Sequence, residues 1–93
     1  MTVVWSHKAL ADVRRLRAFL NRVAPRAAHA AAQALSTEVL ILSRNPRIGE
    51  LIQPPGYDAL EVRRILVGDY EVRYQVFPDH VLILRAWHQR EDR

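Results

Sequence analysis

The chain of 93 residues is long enough for one hydrophobic core, and we expect a single domain over residues 1–93. Its apolar fraction of 49% excludes intrinsic disorder, and the absence of cysteine excludes disulfides, thiolate zinc sites and a cysteine nucleophile. The net charge of +4 favours an acidic partner, such as nucleic acid or an acidic protein segment, although many soluble domains are equally basic.

The N-terminal half predicts a short strand followed by a helical hairpin. Residues 3–5 form the strand, and Ser6 is a suitable N-cap for a first helix. Pro25 separates this helix from a second, at about residues 26–44, which ends at Asn45-Pro46. In both helices apolar residues recur at spacings of three and four, which places them on one face. These faces are Ala9, Val13, Leu16, Leu20 and Val23 in the first helix and Ala28, Ala31, Ala32, Leu35, Val39 and Leu42 in the second.

The C-terminal half predicts a sheet. After a loop rich in proline and glycine, with a short extended piece at residues 50–52, strands are expected at about residues 59–67, 70–77 and 81–88. Gly68-Asp69 is a two-residue link with glycine first, the signature of a type II′ hairpin turn. The predicted fold class is α+β: an N-terminal short strand and an α-helical hairpin packed on one face of a mostly antiparallel sheet, in the order β-α-α-β-β-β.

Three arginines are predicted to form a row across this sheet. The two-residue turn places Arg64 opposite Arg73. For the next hairpin, a two-residue turn would put Arg85 on the apolar face, whereas a three-residue turn keeps the apolar alternation and puts Arg85 beside Arg73. We choose the second, which also turns three apolar residues toward the helices: Leu82, Leu84 and Ala86. We call Arg64, Arg73 and Arg85 the arginine row.

The arginine row is expected on the face without helices, where Glu71 is the only nearby acid. Like charges directly opposite each other destabilise a sheet by up to about 1 kcal/mol per pair. Either Glu71 pairs with one arginine while the others turn to water, or the face docks a partner whose carboxylates or phosphates the arginines bind. We favour docking, because the surrounding apolar residues would otherwise be exposed. They are Val62, Leu66, Phe77, Ile83 and Trp87.

The chain contains, in this order, the segments VVWSHKALADVRRLRAFL, NPRIGE, VRRILVGDYEVRYQV and WHQRE. Their combination resembles the RelE/ParE superfamily of toxins from bacterial type II toxin–antitoxin systems. The resemblance implies a growth inhibitor neutralised by a cognate antitoxin with an acidic C-terminal segment, and a homodimer or a heterotetramer with the antitoxin is compatible with it. The residues expected to bind the antitoxin are Arg64, Leu66, Arg73, Ile83, Arg85 and Trp87.

The superfamily includes RelE-like endonucleases, which cut mRNA on the ribosome, and ParE-like inhibitors of DNA gyrase. In the nucleases an arginine usually follows the aromatic residue that opens the third strand, whereas Glu71 follows Tyr70 here and would repel a phosphate. We therefore predict a ParE-like toxin that inhibits DNA gyrase by binding, without hydrolysis. The alternative is a ribosome-dependent mRNA endonuclease. Its phosphate and proton-transfer residues would be Arg64, Arg73, His88 and Arg90.

No metal, cofactor or membrane partner is expected. The histidines lack the spacing of metal ligands, and no apolar stretch approaches the roughly 20 residues of a membrane span, so a cytoplasmic location is predicted. A secondary candidate for target contact is the exposed side of the helical hairpin, for which a solvated face is the favoured interpretation. Its basic residues are Arg14, Arg15, Arg17, Arg22 and Arg26.

Overall fold

The computed structural model describes residues 1–52 and 60–89, in which one face of a five-stranded sheet is covered by a helical hairpin. The elements are β1 (Thr2–Trp5), α1 (His7–Val23), α2 (Pro25–Val39), a 3₁₀ turn (Leu40–Ser43), β2 (Glu50–Leu51), β3 (Val62–Val67), β4 (Tyr70–Val76) and β5 (His80–His88). The strand order is β1-β5-β4-β3-β2, with β1 parallel to β5 and the other neighbours antiparallel. The predicted α+β class is confirmed, and the elements follow the predicted order with one further strand, β2, where a short extended piece was expected at residues 50–52.

Helix α1 begins where its capping residue predicted. The Ser6 hydroxyl accepts a hydrogen bond from the Ala9 N–H and donates one to the Leu84 carbonyl, each 3.0 Å long, which joins the helix start to β5. Pro25 is the first residue of α2. The prediction that α2 continues to residue 44 is wrong, because the chain tightens into the 3₁₀ turn, which buries Leu42 completely and leaves Leu40 exposed. No helix in the described residues is long and apolar enough to span a membrane.

The β3–β4 hairpin has the predicted register, with Val67 opposite Tyr70 and Arg64 opposite Arg73. Gly68 has a φ of 58°, and no described residue other than glycine has a positive φ. A positive φ at the first turn residue but not at Asp69 is the pattern of a type II′ turn. The residues of the turn therefore predicted the register between β3 and β4 correctly.

The β4–β5 hairpin combines the two registers that were weighed from sequence. It has the register of a two-residue turn near its turn and the predicted register of a three-residue turn further along. Near its turn Tyr74 pairs with Ile83 and Val76 with Val81, as a two-residue turn requires, and the Phe77 N–H bonds the His80 carbonyl at 2.9 Å. The register then shifts between Arg73 and Tyr74, so that Leu84 has no partner on β4 and Val72 faces Ala86. A β-bulge inserts one such extra residue and reverses which face the following side chains occupy.

Two predictions are wrong because of this bulge. Val81 and Ile83, rather than Leu82 and Leu84, point toward the helices, and both are fully buried. Ile83 therefore lies in the core, and the prediction that it belongs to an exposed antitoxin-binding face is wrong. Beyond the bulge the predicted register is correct, since Ala86 is buried and Arg85 lies opposite Arg73.

Strand β2 is held against β3 by a close approach at Gly49. The Gly49 N–H donates to the Tyr74 hydroxyl at 2.9 Å in a buried hydrogen bond. A Cβ at this position would lie 2.5 Å from the Arg64 carbonyl oxygen and 2.6 Å from the Tyr74 hydroxyl, so only glycine fits. Arg63 adds a 2.7 Å hydrogen bond from Nη1 to the Gly49 carbonyl. The position of β2 thus depends on a tyrosine in the middle of the sheet.

We expect Tyr74→Phe to lower the free energy of unfolding by about 1–2 kcal/mol, because the buried Gly49 N–H loses its acceptor. Urea denaturation followed by circular dichroism measures this change as a lower midpoint at an unchanged slope. A midpoint equal to that of the wild type would contradict the assigned role of the hydroxyl.

Candidate functional site

The arginine row exists in the structure, since Arg64, Arg73 and Arg85 lie opposite one another on three adjacent strands. Arg64 bonds Glu50 from Nε at 2.9 Å and from Nη2 at 2.8 Å. Glu50 stands on β2, directly across from Arg64, and is largely exposed. The row is therefore partly neutralised within the chain, and the expectation that Glu71 is the only nearby acid was wrong.

Glu71 lies at the centre of the face that carries the row. Its side chain is only 7% exposed and accepts a 2.9 Å hydrogen bond from Arg73 Nε, with Arg64 Nη1 3.6 Å from its other oxygen. Trp87 is paired with Glu71 in the register, and the Arg73 guanidinium lies 4.7 Å from the indole centroid. The centre of this face is thus an ion cluster packed on an aromatic ring.

Arg85 reaches around the edge of β5 to helix α1. Because β1 pairs with β5 only as far as Ile83, α1 lies along the edge of β5 beyond that point. There the buried Asp12 accepts hydrogen bonds from Arg85 Nε at 2.8 Å, Arg85 Nη2 at 3.1 Å, the Ala86 N–H at 2.9 Å and Arg15. Asp12 was not predicted from sequence, although an acidic residue between Ala9 and Leu16 on the apolar side of α1 is a signal for a buried partner.

Burial alone would raise the pKa of Asp12, but the hydrogen bonds from Arg85, the Ala86 N–H and Arg15, with the charge of Arg85, outweigh it and hold this pKa below its usual value. Asp12 is therefore a carboxylate at neutral pH. It joins α1 to β5 through charge-assisted hydrogen bonds.

A groove of about 930 Å³ runs between α2 and the outer edge of β3. Strand β2 pairs only with Arg63 and Arg64, so within residues 1–52 and 60–89 no strand covers the rest of this edge. The Val62 carbonyl points outward, where it accepts from the Ile52 N–H. Because backbone groups of residues two apart point the same way in a strand, the N–H and C=O of Leu66 face the groove.

The groove combines an open strand edge with apolar walls. Its exposed apolar side chains are Ile41, Ile48 and Leu66, of which Leu66 is 64% exposed. Charged residues stand at the rim, including Arg64, whose side chain is 40% exposed. Unpaired strand edges are templates for the addition of another strand, and apolar walls favour burial of its side chains. Arg64 and Leu66 were predicted as binding residues, but this open edge was not predicted.

The described members of the predicted nuclease set do not lie on one face of the sheet. Arg64 and Arg73 share the helix-free face. His88 pairs with Tyr70 on the opposite face of the sheet, where the two rings meet edge to face with centroids 5.2 Å apart. Arg90 lies outside the described residues.

The sequence matches the family described as ParE toxin of type II toxin-antitoxin system, parDE, over residues 3–93. Among solved structures the chain is similar to the chromosomal ParDE TA system from P. aeruginosa, with a TM-score of 0.78, 24% identity and 95% of each chain covered. It is also similar to the toxin-antitoxin complex RelBE2 from Mycobacterium tuberculosis, with a TM-score of 0.61, 26% identity and coverage of 94% of this chain and 95% of that one. No curated protein matches the sequence.

Proposed function

The chain belongs to the ParE toxin family of type II toxin–antitoxin systems, and from this premise we propose that it inhibits DNA gyrase by binding to it. We propose that this takes place in the cytoplasm. We propose further that a cognate antitoxin holds it inactive by occupying the groove beside β3. The observation that carries the antitoxin proposal is the open edge of β3 at Leu66. The backbone N–H and C=O of Leu66 face an apolar groove.

An extended antitoxin segment suits this groove better than a helix. The N–H and C=O of Leu66 would pair with the backbone of an added strand that continues the line of β2. Apolar side chains at alternate positions of that strand would be buried against Ile41, Ile48 and Leu66. An acidic residue could exchange with Glu50 as the partner of Arg64. The two similar solved structures are of toxin–antitoxin systems, which supports an antitoxin as the occupant.

Inhibition by binding is favoured over phosphate cleavage because the described arginines of the proposed nuclease set already hold carboxylates. A scissile phosphate at Arg73 would have to displace Glu71, which is almost completely buried against it. A general acid at His88 would act from the other face of the sheet. The helix-free face, which carries Arg64 and Arg73, is consistent with a surface that docks on a protein.

The direct test is supercoiling by purified gyrase in the presence of the free toxin. We expect supercoiling to stop while translation in a purified system continues. Arg73→Ala combined with His88→Ala should leave transcripts intact in primer-extension maps, as the wild type does. Normal supercoiling together with cut transcripts would replace this proposal by the RelE-like endonuclease, and normal growth after expression without antitoxin would show an inactive family member.

A further inference from the structure

The net positive charge of this protein comes from its first two fifths. Residues 1–39 contain six Lys or Arg and two acidic residues, which gives +4, the formal net charge of the whole chain. The remaining 54 residues contain eight basic and eight acidic residues. The charge that attracts an acidic partner therefore lies on the helical hairpin rather than on the arginine row.

Neither acidic residue of this region offsets the exposed charges. Asp12 is buried and already bound by Arg15 and Arg85, and Glu38 lies near the end of α2 on the groove. Within residues 1–39, five exposed basic residues make no ion pair with any residue in the described part of the chain. We call them the basic face: Lys8, Arg14, Arg17, Arg22 and Arg26.

Four residues of the basic face stand on two flanks of α1. With 3.6 residues per turn, Arg14 and Arg17 lie on one flank, beside α2, and Lys8 and Arg22 lie on the other. Along the solvent side between the flanks lie Ala11 and Ala18, both exposed. Arg14 and Arg22 are about 12 Å apart along the helix axis, from a rise of roughly 1.5 Å per residue.

This arrangement fits the phosphate backbones of duplex DNA. The major groove is roughly 12 Å wide and admits an α-helix, and a helix lying in it has a phosphate strand on each side. The small Ala11 and Ala18 allow close approach, and they offer no hydrogen bonds to base edges. The large exposed apolar side chains of α1, Leu10 and Phe19, stand on the flanks, not between them. An acidic protein segment would therefore find no apolar anchor along the centre of this surface, which makes it the less suitable occupant.

We propose that the basic face binds duplex DNA without sequence preference, with α1 in the major groove and its two flanks on opposite phosphate strands. This contact uses a different surface from the antitoxin groove. It stands independently of the gyrase proposal, although it would place the toxin on DNA that gyrase holds.

The test is the fluorescence polarisation of a labelled duplex of random sequence, titrated with the free protein at several salt concentrations. Each phosphate contact contributes about −0.9 to the slope of log K against log salt. Arg14→Gln/Arg17→Gln should therefore reduce the magnitude of the slope by about 1.8 and weaken binding on the order of tenfold or more near 0.1 M salt. Lys8→Gln/Arg22→Gln should do the same from the other flank.

The matched control is Arg44→Gln/Arg47→Gln, which removes the same charge outside the basic face and should retain the wild-type slope. Equal unfolding midpoints would show that all variants are folded. The proposal is overturned if the wild type does not bind the duplex at low salt, if the control weakens binding as much as either flank variant, or if single-stranded RNA of the same length binds more tightly than the duplex.

Discussion

Leu66→Asp is expected to abolish neutralisation by the antitoxin while the toxin itself stays folded and toxic. Leu66 is 64% exposed in the free chain, so the substitution costs the fold little. In the complex the same side chain would be buried under an acidic segment, where an unpaired carboxylate is both desolvated and repelled. We expect a loss of about 2–4 kcal/mol in binding, or roughly 30- to 1,000-fold in Kd.

Calorimetric titration of toxin variants with the cognate antitoxin measures this loss, and co-expression of the pair measures its effect on growth. Val23→Asp is the matched control, because Val23 is 65% exposed and lies at the end of α1, away from the groove. The control should bind the antitoxin as the wild type does. Wild-type affinity for Leu66→Asp, or an equal loss for Val23→Asp, would remove the groove as the antitoxin site.

Asp12→Asn is expected to lower the free energy of unfolding by about 2–3 kcal/mol. The amide has the shape of the carboxylate, but its NH₂ group would face the guanidinium of Arg85 and it carries no charge to offset Arg85 and Arg15. The loss should stay below that of a fully buried pair, because the Arg85 side chain is 38% exposed and water can solvate it. For a chain of this length the melting temperature should fall on the order of 10 °C.

The same variant predicts a dependence on pH. The pKa of Asp12 is lowered in the folded state, so its carboxylate stabilises the fold fully above the unfolded pKa, near 3.8, and this contribution is lost as pH falls through the folded pKa. The difference in stability between wild type and Asp12→Asn should be constant near neutral pH and shrink below about pH 4. Urea denaturation across this range tests it, with the exposed Asp69→Asn as control. A difference that persists undiminished at pH 2 to 3 would contradict the ionic role of Asp12.

The parts of the fold that sequence predicted correctly depend on interactions between near neighbours. Ser6 caps α1, Pro25 starts α2, and Gly68-Asp69 fixes the register that brings Arg64 opposite Arg73. Each of these is decided within a few residues by backbone geometry. The arginine row followed from that register and from the alternation of side chains along a strand.

The parts that sequence did not predict depend on distant or degenerate information. Residues 81–84 read VLIL, and either alternate pair of these four apolar residues could face the helices. The pattern therefore could not locate the bulge that buries Ile83. The contact between Asp12 and Arg85 joins residues 73 positions apart. The open edge at Leu66 arises because β2 has only two residues, and Gly49, just before it, donates its N–H to the Tyr74 hydroxyl.

Amide hydrogen exchange at Leu66, measured in the free toxin and in its complex with the antitoxin, tests most directly whether the edge of β3 receives a partner strand. The Leu66 amide should exchange rapidly in the free toxin, since its N–H faces the groove, and slowly in the complex, where an added strand would accept its hydrogen bond. Exchange at Leu66 that stays equally fast while the antitoxin is bound would contradict the account.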